Sequence, residues 1–140
     1  MSVFVSGATG FIAQHIVDQL LEQDYKVIAS ARTEAKANEL SKNFNNPNLT
    51  TVVTGDMSKL DAFDPAFKQY GSQIKYVIHA ASPVTFEVEN TERDILIPAV
   101  NGTKGILESI KKYAANTVER IVMTSSVAAI STFSESLDPK

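Results

Sequence analysis

Apolar positions along this chain switch between two spacings. Short β-prone runs at Ser2 to Ser6, Lys26 to Ala31, Leu49 to Val53, Tyr76 to Ala80 and Arg120 to Thr124 read as buried strands. Between them the spacing turns helical. The first helix is predicted from Phe11 to Gln23, with Ile12, Ile16, Val17, Leu20 and Leu21 as its apolar positions, and the second from Glu34 to Phe44. The third runs from Lys59 to Tyr70, with Leu60, Phe63 and Phe67 on one face. The fourth runs from about Asn90 to Tyr113, and Pro98 removes one of its hydrogen bonds, so a kink or restart is expected there. Five strands separated by four crossover helices require a parallel sheet. The fold class is therefore α/β, a doubly wound parallel sheet in the order 3-2-1-4-5. Its ligand crevice is expected at the carboxyl ends of strands 1 and 4.

The segment Ser6 to Ile16, SGATGFIAQHI, puts Gly7 and Gly10 on the turn from the first strand to the first helix. Glycine lets the backbone approach a pyrophosphate closely, and the helix behind it offers unpaired N–H groups and the positive end of its dipole. Gly7, Gly10 and Ala13 make GxxGxxA, in which a small third residue suits close packing of helix on strand. A turn serving chain reversal alone is the competing reading.

The second strand ends in Ser30-Ala31-Arg32-Thr33, with no acid before Glu34. A carboxylate there would accept from a free ribose hydroxyl, whereas a cation receives a 2′-phosphate. Arg32, with Lys36 one helical turn later, therefore favours NADP over NAD, unless both are merely solvated surface charges. Gly55-Asp56-Met57 suits an adenine pocket, the carboxylate accepting from the exocyclic amine and Met57 covering the ring; Asp56 suits equally the N-cap of the third helix. In His79-Ala80-Ala81-Ser82-Pro83, small residues leave room for the nicotinamide ribose, while His79, inside an apolar strand, reads as a satisfied core histidine rather than a base. Met123-Thr124-Ser125-Ser126 ends the fifth strand, where a serine can hydrogen-bond a substrate carbonyl or simply terminate the strand.

Composition narrows the classes. The 140 residues are 44% hydrophobic with a net charge of −3 and no basic stripe, which argues against a nucleic-acid partner. With no cysteine and two histidines, there is no disulfide or thiolate metal site and little material for any metal centre. Met1 leads directly into a strand, and no apolar run approaches a membrane span, so a soluble cytoplasmic protein without membrane association is the expectation.

Taken together, SGATGFIA, the SAR of the second strand, HAASP, IPAVNGTKGIL and VMTSS resemble the extended short-chain dehydrogenases/reductases of the epimerase/dehydratase superfamily, in their dihydroflavonol-reductase-like branch. The resemblance implies a Rossmann-type NADP-binding domain over residues 1–130, the cofactor-binding half of a reductase that reduces small aldehydes and ketones with NADPH. It implies phosphate-turn contacts at Gly7, Ala8, Thr9, Gly10, Phe11 and Ile12, and 2′-phosphate contacts at Arg32 and Lys36. Asp56 and Met57 fall at the adenine, Ala80, Ala81 and Ser82 near the nicotinamide ribose. Ser126 takes the carbonyl-polarising part, with Ser125 supporting the loop.

The family's proton donor belongs to a Tyr-x-x-x-Lys motif. Here Tyr25 is followed four residues on by Ala29, Tyr70 by Ile74, Tyr76 by Ala80 and Tyr113 by Thr117. The expectation is an amino-terminal portion of a longer reductase, truncated after its fifth strand, with the polar tail 131–140 leading into the remainder. A non-catalytic NADP-binding sensor or inactive fragment is the rival class. A sugar-nucleotide epimerase is disfavoured by Arg32 and by Ala99 on the long helix.

Overall fold

The computed structural model of the chain describes residues 1–82, 88–127 and 130. Five strands, β1 (Ser2–Ser6), β2 (Lys26–Ala31), β3 (Leu49–Val53), β4 (Ile74–His79) and β5 (Arg120–Met123), form one parallel sheet in the order β3-β2-β1-β4-β5. The expected doubly wound topology is the one observed. Val3 and Val5 point to one face of the central strand and join Val17 and Leu21 of α1 (Phe11–Glu22) and Leu40 of α2 (Glu34–Phe44). Phe4 points to the other, against Phe63, Phe67 of α3 (Asp64–Tyr70), and Ile106 and Ile110 of α4 (Ile97–Tyr113). With helices on both faces, β1 is buried along its whole length, which is why it reads as a continuous run rather than an alternating one.

Three boundaries differ from the expectation by more than one residue, each for a local reason. The third helix starts at Asp64, not Lys59, because Pro65 has no N–H and is tolerated only in a first turn. Residues 56–64 instead form a chain of turns, Lys59 N–H bonding Asp56 O, Ala62 bonding Lys59 O and Asp64 bonding Asp61 O. Asp56 is therefore not the cap of α3. β4 starts two residues early, at a fully buried Ile74 that follows a 3₁₀ turn over Gly71–Gln73. Ahead of Pro98 the expected restart takes the form of a π-helical turn, Glu92–Leu96, running into α4. The tail 131–140 and Pro83 lie outside the described residues.

Candidate functional site

The carboxyl ends of β1, β2 and β4 open into a crevice of about 260 Å³, lined by Gly7, Thr9, Gly10, Arg32, Met57, Ala80, Ala81 and Ser82, with Ser30, Ala31, Thr54, Gly55 and Phe63 completing its walls. It lies at the point where strand order reverses, β1 having β2 on one side and β4 on the other. A larger hollow of about 590 Å³ runs along α4 past Val100 and Leu107, but it shares no residue with the crevice and is almost wholly apolar.

Gly7 carries the tightest constraint. Its φ is +66°, and a Cβ built there would meet Ala81 Cα at 2.8 Å and Cβ at 2.9 Å. Only glycine lets the turn after β1 lie against the chain leaving β4. The turn is held from β2 as well, Gly7 N–H donating to Ser30 Oγ at 3.3 Å and Ala8 N–H to Ser30 O at 3.0 Å. Gly10 N–H closes back on Gly7 O at 2.9 Å.

The start of α1 suits an anion. Gly10 is its N-cap, so no side chain caps the helix, and its first turn holds no acid. By contrast α2 is capped by Thr33 and carries Glu34 in its first turn. A first turn without a side-chain acceptor keeps its N–H groups and dipole available to a phosphate. The residues present thus fit a dinucleotide's pyrophosphate, with Phe11 and Ile12 contributing backbone. Their side chains point outward, 80% and 64% exposed. Ala8 is buried under the turn and packs against the α1 side of the core.

Arg32 stands exposed just past β2, in the crevice wall. The hydrogen bond from Ser58 N–H to Asp56 Oδ1, 3.0 Å, holds the Asp56 carboxyl below its ordinary value, and the charge of Arg32 adds a smaller part. Asp56 itself is exposed and lies beside the crevice rather than in its lining. Lys36 lines an adjoining small hollow with Thr9, its Nζ 2.8 Å from Glu39 Oε2. Ser126 is exposed beyond the carboxyl end of β5, where Thr124 N–H and Oγ1 both donate to His79 O, at 3.1 and 3.3 Å.

His79 is buried beneath the crevice, its ring edge-on to Phe63 and its Nδ1 2.7 Å from Ser6 Oγ. Burial pushes its pKa below the ordinary 6.5, which keeps the ring neutral. This is the core histidine expected. Ser6 and Ser30 were not among the expected site residues. The signal for both was a small polar side chain at or next to the carboxyl end of a mostly apolar, buried strand, where a hydroxyl needs a partner and the adjoining turn supplies one.

The chain belongs to the NAD dependent epimerase/dehydratase family, whose model matches residues 3–139. Within it the chain is 63% identical over 131 residues to the NADPH-dependent methylglyoxal reductase Gre2 of Saccharomyces cerevisiae, covering 93% of this chain and 38% of that one. The crystal structure of yeast methylglyoxal/isovaleraldehyde reductase Gre2 complexed with NADPH superposes with a TM-score of 0.90 at 64% identity, over 92% of this chain and 38% of that one. Gre2 of Candida albicans in complex with NADPH gives a TM-score of 0.91 at 47% identity, over 99% and 40%. The chain thus spans about two fifths of the length of these relatives.

Proposed function

We propose that this chain is the NADPH-binding portion of a reductase that transfers hydride to small aldehydes or ketones. The observation that carries the reading is the glycine turn seated on Ala81 and opening onto Arg32, with no acid at the end of β2. Its likeness to NADPH-dependent reductases supports the same conclusion. Residues Gly7 to Ile12 hold the pyrophosphate on backbone N–H groups, and Arg32 pairs with the 2′-phosphate. Lys36 joins it, because an exposed Lys36–Glu39 pair is worth at most about 1 kcal/mol and yields readily to a phosphate. Met57 covers the adenine, and Ala80 to Ser82 admit the nicotinamide ribose. Bound NADPH supplies the hydride. Ser126 donates a hydrogen bond to the substrate carbonyl and so stabilises the negative charge that develops on its oxygen.

These 140 residues offer no tyrosine with a lysine four positions on to protonate that oxygen, and general acid catalysis contributes ~10² to 10⁴ in rate. The expected result is that the 140-residue chain binds NADPH but does not oxidise it with small aldehydes or diketones, whereas the chain extended by its downstream sequence does. Turnover by the 140 residues that disappears in Ser126→Ala would contradict this and demand a proton donor among them.

A further inference from the structure

Past Thr54, whose N–H still bonds Ala31 O at 3.0 Å, the chain leaves the sheet through Gly55 at φ +65°. The turns that follow carry Asp56 and Met57, and they are not part of any helix or strand. What holds them is α4. Asn101 Nδ2 donates to Ser58 O at 2.7 Å, across 43 positions of sequence. Ser58 N–H in turn donates to Asp56 Oδ1. One residue further along α4, the missing side chain of Gly102 makes room for Met57: a Cβ there would touch its Sδ at 3.6 Å. Gly105, one helical turn on from Asn101, lies so close that a Cβ would come within 2.7 Å of Leu60 O.

The two hydrogen bonds run through one residue. Ser58 receives Asn101 on its carbonyl and gives its N–H to Asp56, so the amide of Asn101 and the carboxylate of Asp56 are joined through the backbone of a single residue. Gly102 sets how far Met57 can retreat from the crevice that it lines. We propose that Asn101 is a positioning residue for the adenosine end of the dinucleotide, holding the 56–58 turn in the place where Asp56 and Met57 meet the base. The inference rests on the cofactor reading above. It assigns to a helix outside the crevice lining a part in selecting how the nucleotide seats.

The test is calorimetric titration of the chain with two probes. One is 2′,5′-ADP, which carries the adenosine and the 2′-phosphate, and the other is inorganic pyrophosphate, which needs only the Gly7 to Ile12 turn. Asn101→Ala should weaken 2′,5′-ADP about 3- to 10-fold, the range for one lost neutral hydrogen bond, and leave pyrophosphate unchanged. Asn101→Asp, which turns a donor into an acceptor facing Ser58 O, should weaken it further. Gly102→Leu should reproduce the selective loss by pushing Met57, while Gly102→Ala, whose Cβ makes ordinary contact, should bind as the unsubstituted chain does. Amide exchange at Met57 and Ser58 should quicken in Asn101→Ala, with the Gly7 turn unaffected. If the unsubstituted chain takes 2′,5′-ADP and folded Asn101→Ala and Gly102→Leu take it equally well, or lose pyrophosphate in the same proportion, the inference is overturned. Failure of the unsubstituted chain to take 2′,5′-ADP overturns the cofactor reading and this inference with it.

Discussion

Ser6 Oγ lies 2.7 Å from Nδ1 of His79, tying the carboxyl end of β1 to that of β4. The same oxygen accepts the N–H of Ala81 at 3.2 Å. One buried hydroxyl thus serves the imidazole below the crevice and the backbone that forms its wall. Ala81 is also the residue against which Gly7 is seated, so Ser6 fixes the spacing on which the glycine turn depends.

Ser6→Ala removes that link and leaves a buried Nδ1 and a part-buried amide without their partner. The expected cost is about 1–3 kcal/mol of folding stability, the penalty for stranding buried polar groups. Urea denaturation checks it; a change within about 0.5 kcal/mol would mean that water or a rearrangement replaces the hydroxyl.

The neutral His79 makes stability pH-dependent. Its folded-state pKa is depressed by burial below the ordinary 6.5, so between the two values the unfolded chain binds more protons. The stabilisation is fully present above about pH 6.5 and is lost as pH falls from there toward the folded-state value. Thermal melts of the unsubstituted chain should decline over that window, and His79→Asn should flatten the decline. An unchanged slope in the variant would show that other groups carry it.

Gly7 and Gly55 share nearly the same backbone angle, +66° and +65°, but differ in surroundings, since nothing among the described residues lies within 4 Å of a Cβ at Gly55. Gly55→Ala should cost only the left-handed strain, about 1–2 kcal/mol. Gly7→Ala should cost more, by about a further 1–3 kcal/mol, because the new methyl collides with Ala81. Paired denaturation curves decide the matter, and equal losses would refute the close approach.

Strand order and both core faces were legible in the sequence because buried parallel strands and amphipathic helices leave strong periodic signals. Ser2–Ser6, Lys26–Ala31, Leu49–Val53 and Glu34–Phe44 are observed with the expected bounds. The glycine turn was legible for a different reason: Gly7 must be glycine, and its place between strand and helix says why. The third helix was overextended because Leu60, Phe63 and Phe67 keep helical spacing through a stretch in which Pro65 forbids a helix interior. Asp56 loses its capping role for the same reason. The Ser6–His79 and Asn101–Ser58 bonds join positions 73 and 43 residues apart, and no local pattern encodes such a pairing. They emerge only once the sheet and α4 are assembled.

In the proposed function, the crevice takes NADPH through Arg32. Titration with NADPH and with NADH, followed by the fluorescence of the reduced nicotinamide, tests it directly. A charge-assisted phosphate contact is worth about 1.5–3 kcal/mol, so NADPH should bind about 10- to 150-fold more tightly than NADH, and Arg32→Ala should erase most of that preference while the chain stays folded. Equal affinity of the unsubstituted chain for the two nucleotides, or a preference that survives Arg32→Ala intact, would contradict it.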